Sequence, residues 1–224
     1  MKYIDIHTHN TENSASISIV NFSPEEAVNT NVKGFFSTGL HPWHIDENSI
    51  EKDIKLVEEA ASSDEFVAIG EAGLDKFADC NIELQKEVFI EQVKISERLK
   101  KPLIIHCVRM FNELIRIKKE LSPKQEWIVH GFNSNLQIAK ELIKNGLYLS
   151  FGKALLNEGS NAIKVLPEIP INTIFLETDD SDIDIGTIYN SAASVLSIEE
   201  EELGKIIENN FNKIFRRYWK KSIG

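Results

Sequence analysis

Eight short runs of almost unbroken hydrophobicity recur along the chain, at residues 3–7, 16–20, 34–38, 66–70, 103–106, 127–130, 147–151 and 174–177. Most are rich in β-branched or aromatic residues, the pattern of strands covered on both faces. The stretches between them have helical periods. Ile50, Ile54, Val57 and Ala61 line one helical face, as do Leu84, Val88, Ile95 and Leu99, and again Leu203, Ile207, Phe211, Ile214 and Tyr218. Capping signals mark several starts: Ser23 before Pro24-Glu25-Glu26, and Ser197 three residues before Glu200. Strand alternating with helix implies a parallel sheet, and this many strands predicts an α/β chain closed into a TIM-type (β/α) barrel. One connection is short. Eight residues separate the first two runs, whereas a parallel crossover takes roughly a dozen. Either the early connection is irregular or the 16–20 run lies outside a seven-stranded barrel. An open doubly wound sheet is the alternative.

No linker, repeat or low-complexity segment divides the 224 residues, so a single domain over 1–224 is expected. Hydrophobic residues make up 42% and charged residues 27%, enough apolar material for a sizeable core. The start, Met1-Lys2-Tyr3-Ile4-Asp5, leads directly into a strand and lacks the regions of a signal peptide. No run is apolar enough to span a membrane. Cys80 and Cys107 do not form a disulfide framework. These features predict a cytoplasmic protein with no membrane partner, monomeric or a small homo-oligomer. The net charge of −10 weighs against a large nucleic-acid footprint, although bound divalent ions would add local positive charge. The basic residues Arg216, Arg217, Lys220 and Lys221 read as the solvated end of a helix.

The histidines are the strongest chemical signal. Of the six, at 7, 9, 41, 44, 106 and 130, four close predicted strands or stand just beyond them: His7, His9, His106 and His130. Glu71 and Asp179 do the same. Parallel barrel strands all point their C-terminal ends at the face that carries the active site. Six ligand-type side chains from five strands are therefore expected to converge. His7 and His9 are two apart and point the same way along a strand. Mixed imidazole and carboxylate donors suit zinc, manganese, iron or nickel rather than calcium. A lone histidine after an apolar run is usually a packing residue; the joint placement carries the argument.

The motifs Asp5-Ile6-His7-Thr8-His9, Thr38-Gly39-Leu40-His41-Pro42-Trp43, Ala68-Ile69-Gly70-Glu71-Ala72-Gly73-Leu74-Asp75, Pro102-Leu103-Ile104-Ile105-His106-Cys107, Val129-His130-Gly131-Phe132 and Leu176-Glu177-Thr178-Asp179 occur in an order that resembles the TatD-like metal-dependent hydrolases. The resemblance runs from residue 3 to about 218, with Asn210-Phe211 and Ile214-Phe215 fitting near the end. It implies two divalent ions (Zn, Mg, Mn, Ni or Fe). His7 and His9 would hold the first, His106 and His130 the second, and Glu71 would bridge them. Asp179 would bind the first ion and take the proton of the attacking water. Glu177 and Asp75 would support these ligands, and His41 would face the substrate. Apart from the resemblance, Arg109, three residues past His106, is a candidate for an anionic substrate group, because a guanidinium pairs with phosphate in a fork. Lys153 is a weaker candidate for a phosphate contact, and His44 reads as a loop residue.

The loops depart from the family pattern. Asp179-Asp180-Ser181-Asp182-Ile183-Asp184 replaces a proline- and aromatic-bearing segment, Gly-Leu-Asp is followed by Lys76, and His130 is followed by Gly131-Phe132-Asn133-Ser134. The acidic run at 179–184 would repel a phosphate backbone. The resemblance implies a phosphodiesterase of the deoxyribonuclease type, acting on a small-molecule or nucleic-acid phosphodiester. The alternatives are a hydrolase of small amides, esters or phosphates on the same site, and a non-catalytic metal-binding interaction module.

Overall fold

In the computed structural model, residues 2–12, 14–30 and 33–219 are described, with side chains through residue 215. The elements in chain order are β1 (Ile4–Thr8), β2 (Ile17–Phe22), α1 (Pro24–Asn29), β3 (Phe35–Thr38), α2 (Ile50–Ala61), β4 (Phe66–Asp75), α3 (Ile82–Leu99), β5 (Leu103–Val108), α4 (Phe111–Leu121), β6 (Trp127–Val129), α5 (Leu136–Lys144), β7 (Leu147–Phe151), α6 (Asn161–Val165), β8 (Ile174–Leu176), α7 (Ile185–Leu196) and α8 (Glu200–Trp219). They fall into two compact units, residues 1–20 with 130–224, and residues 21–129.

In the first unit, β7 pairs parallel with β8, the chain just past β8 bridges to β1 through Asp179 and Thr8, and β1 pairs parallel with β2. The 16–20 run is thus a sheet strand, and the described residues of the short connection before it form no helix. The α8 face buries Leu203, Ile207, Phe211 and Phe215. Phe215 takes the place expected for Ile214, and the Phe211 and Phe215 rings stack at 4.7 Å. The Asn210 amide donates to the carbonyls of Ile171 and Ile174, both at 3.0 Å, and so ties α8 to the start of β8. Ser197 ends α7 in the left-handed region (φ 55°) rather than opening α8. Its position after a complete helix outweighs its spacing from Glu200.

In the second unit, β3, β4, β5 and β6 pair parallel in chain order. Ser23 caps α1 in the expected reciprocal box with Glu26. The surprise is the length of β4, ten buried residues that run past Glu71 to Asp75. Glu71 therefore lies inside a strand, not beyond its end. Gly70 and Gly73 make this pairing feasible. Gly70 has φ +151°, and a side chain at Gly73 would run into the His106 carbonyl. At the other end of β4, Lys101 is buried, and its ammonium donates to the carbonyls of Ala61, Ser63 and Phe66. Phe89 of α3 meets Trp127 of β6 edge to face at 5.3 Å.

No helix among the described residues is long and apolar enough to cross a membrane. The side chains of Arg216, Arg217, Lys220 and Lys221 lie outside the described residues.

Candidate functional site

The first unit brings together His7, His9, His130, Glu177 and Asp179. β1 aims His7 and His9 to one side, with ring centroids 5.2 Å apart, and the His130 ring is 4.4 Å from His7. Asp179 is fixed by its backbone. Its N–H donates to the His7 carbonyl and its carbonyl accepts from the His9 N–H, each at 3.0 Å. These bonds hold a non-glycine residue at φ 56°, a conformation that costs about 1–2 kcal/mol. Asp5, fully buried beneath them, accepts from the Thr178 N–H at 3.1 Å and the Thr178 hydroxyl at 2.5 Å. Burial pushes its carboxyl up to about 7 against those bonds.

The spacing of the donors tests whether they fit a metal. Donors at about 2.1 Å from a tetrahedral ion lie about 3.4 Å from each other. Nε2 of His7 is 3.7 Å and Nε2 of His9 is 3.9 Å from Asp179 Oδ1, too long for hydrogen bonds and suited to a shared cation. His130, Glu177 and Asp179 likewise place one donor atom each within 4.8 Å of one another. Glu177 is fully buried and accepts the Gly131 N–H at 2.6 Å, while His130 Nδ1 is 3.6 Å from the same oxygen. Burial works to raise the Glu177 carboxyl, but the contact with His130 and the charges of His130 and His7 hold it below its ordinary value.

The second unit gathers Glu71, His106, His41 and Asp75. His106 Nδ1 lies 2.9 Å from Glu71 Oε1, and His106 Nε2 lies 2.9 Å from Asp75 Oδ2. Asp75 thus orients the imidazole from behind, as outer carboxylates do for metal-binding histidines. His41 Nε2 is 3.3 Å from Glu71 Oε1, which brings His41 into the same donor group as Glu71 and His106. Burial lowers its pKa against the pull of Glu71. Burial works to raise the Asp75 carboxyl, yet bonds from His106, the Phe77 N–H and the Trp43 indole hold it low.

Several positioning groups were not read from the sequence. The Gln92 side chain brackets Leu40, accepting its N–H at 2.7 Å and donating to its carbonyl at 3.1 Å, which fixes the residue before His41. Gln85 brackets Asp75 in the same way, at 2.9 and 3.0 Å. The two glutamines are seven apart on the buried face of α3, a spacing that signals two turns of one helical face. The Asn21 side-chain oxygen Oδ1 accepts the Glu71 N–H at 2.7 Å.

The remaining predicted residues sort as follows. Arg109 is exposed, with its guanidinium carbon 5.8 Å from the Phe77 ring centre. His44 is exposed. Cys80 and Cys107 are free thiols, and Cys107 is buried. Lys153 pairs with Asp180 at 2.5 Å, and Asp184 caps α7 through the Gly186 N–H. The expected repulsion from 179–184 is accordingly weaker than the charge count: one acid is neutralised, one complements a helix N-terminus and one belongs to the donor group.

A model of the family described as TatD related DNase matches residues 9–216. An uncharacterized metal-dependent hydrolase of Buchnera aphidicola subsp. Baizongia pistaciae is 36% identical over 146 residues, covering 64% of this chain and 54% of that protein. The deoxyribonuclease Tat-D of Schizosaccharomyces pombe is 30% identical over 171 residues, 69% of this chain and 54% of that protein. The chain thus spans about half the length of these two curated relatives. The crystal structure of YjjV, a TatD homolog from Escherichia coli, superposes with a TM-score of 0.80 at 22% identity, covering 96% of this chain and 98% of that one. The fold is therefore the TIM-type (β/α) barrel, with eight strands among the described residues.

Proposed function

We propose, from the premise that this chain belongs to the TatD related DNase family of metal-dependent hydrolases, that it hydrolyses phosphodiester bonds with water. The observation that carries the reading is the pair of spacings from His7 and His9 to Asp179, open by the width of an ion and set at the C-terminal ends of parallel strands. His7, His9, His130 and Asp179 in one unit, and Glu71 and His106 in the other, would hold two divalent ions. Bound divalent ions lower the pKa of water and offset charge on phosphoryl oxygens. Asp179 accepts the proton of the attacking water; its side chain is partly exposed, so water reaches it, and its backbone bonds keep it from swinging away. Asn21 holds the Glu71 backbone N–H, and His106 Nδ1 contacts one oxygen of its carboxylate. Arg109 meets the anionic substrate, its planar guanidinium matching two phosphoryl oxygens. The free thiols support a reducing, cytoplasmic setting.

The test is turnover of a 3′-ended single-stranded oligonucleotide beside a panel of phosphate monoesters, carboxylic esters and amides, with Mg²⁺, Mn²⁺ or Co²⁺ after chelation. Phosphodiester cleavage that stops with chelator and returns with metal is the expected result. Ester or amide turnover with no nucleotide released under any of the three ions would overturn the phosphodiesterase reading.

A further inference from the structure

We propose that Trp43 and Phe77 form a stacking platform for an unpaired nucleobase beside the His41–Glu71–His106 group, with Arg109 seated on Phe77 to meet the adjoining phosphate. The proposal rests on the phosphodiesterase reading and names the part of the substrate that this surface recognises. Trp43 is 63% exposed and Phe77 65% exposed, well above every other large apolar side chain among the described residues. Both stand just past the C-terminal ends of adjacent strands, β3 and β4. That is the end of a parallel sheet where substrates bind. Leaving two aromatic rings in water forgoes the burial free energy such rings normally supply, and here the Trp43 indole is tethered through its N–H and Phe77 through its backbone.

The holding group is a single carboxylate. Asp75 Oδ2 accepts the Trp43 indole N–H at 2.8 Å, and Asp75 Oδ1 accepts the Phe77 backbone N–H at 2.8 Å. The same Oδ2 is 2.9 Å from His106 Nε2. Asp75 is in turn bracketed at its own N–H and carbonyl by Gln85. One buried side chain therefore contacts the Trp43 indole, the Phe77 backbone and a candidate metal ligand at once. The Trp43 and His106 ring centres are 6.4 Å apart.

The charge balance favours a base over other flat partners of a phosphodiester. With a net charge of −10, the chain is poorly suited to binding by broad neutralisation of phosphates. Stacking on aromatic faces supplies affinity without dense positive charge, and any base has a face to offer. Arg109 adds one cation where it is needed. Its guanidinium over Phe77 is a cation–π seat that leaves N–H donors for a phosphate. A duplex hides the faces of its bases, so the fitting ligand is an unpaired base.

The test compares an oligothymidylate with a strand of equal length whose terminal nucleotides are abasic, by kcat/KM and by fluorescence anisotropy. The protein is expected to prefer the base-bearing strand by about tenfold, with the difference in KM. Phe77→Ala and Trp43→Ala should each erase most of that preference. Phe77→Tyr should retain it, and Phe77→Leu, which keeps bulk without a π face, should not. Both positions are exposed, so these variants are expected to fold. Cleavage of both strands at equal kcat/KM would overturn the platform and leave the phosphodiesterase reading standing. Phe77-dependent preference in binding, with no strand cleaved, would support the platform and overturn the phosphodiesterase reading.

Discussion

Asp179→Asn is expected to lower kcat by about a thousandfold while metal content stays near the wild-type value. Asparagine keeps the size of the side chain and an oxygen that can still face a cation. It also tolerates the left-handed backbone at φ 56° better than other residues, so the bonds from Asp179 to His7 and His9 are preserved. What the amide lacks is the ability to take a proton from water. Single-turnover rates and elemental analysis of the same sample separate the two effects. Near-normal turnover in the variant would show that another group is the base. A parallel loss of metal and activity would instead make Asp179 chiefly a ligand.

The second large effect lies at the opposite end of the strands. Lys101→Met is expected to lower stability by about 3 kcal/mol, and Tm by roughly 6–12 °C for a chain of this size. The ammonium satisfies three carbonyls, of Ala61, Ser63 and Phe66, where α2 ends and β4 begins. Each bond to a charged donor contributes about 1.5–3 kcal/mol, but removing the lysine also relieves the cost of burying its charge, which reduces the net. Methionine fills most of the volume and leaves the carbonyls unbonded. The N-terminal ends of barrel strands serve stability rather than chemistry, so kcat per folded molecule should not change. Thermal unfolding with Tm within about 1 °C of the wild type would show that water replaces the ammonium at little cost.

Much of this was legible in the chain because its strands are covered on both faces and stand out as continuous apolar runs. The four histidines and Asp179 were legible for a related reason: each stands at the end of an apolar run or one to three residues beyond it. The extension of β4 was not. Glu71, Ala72, Gly73, Leu74 and Asp75 have no uniform hydrophobicity, and their burial depends on Gln85 and on the close approach that Gly73 allows to β5. Gln85 and Gln92 are not legible from apolar periodicity, because these two polar side chains are buried through hydrogen bonds to loop backbone. The contact of His41 with Glu71 is not legible locally, because the two residues are 30 positions apart in the chain. At Ser197 a local capping pattern is overridden by the end of the preceding helix.

The central claim is that these donors hold divalent cations. Anomalous X-ray scattering from crystals grown with Mn²⁺ tests it most directly. The account predicts peaks within about 2.3 Å of donor atoms of His7, His9 and Asp179, and of Glu71 and His106. Crystals of active, Mn²⁺-dependent protein with no peak near any of these side chains would contradict it.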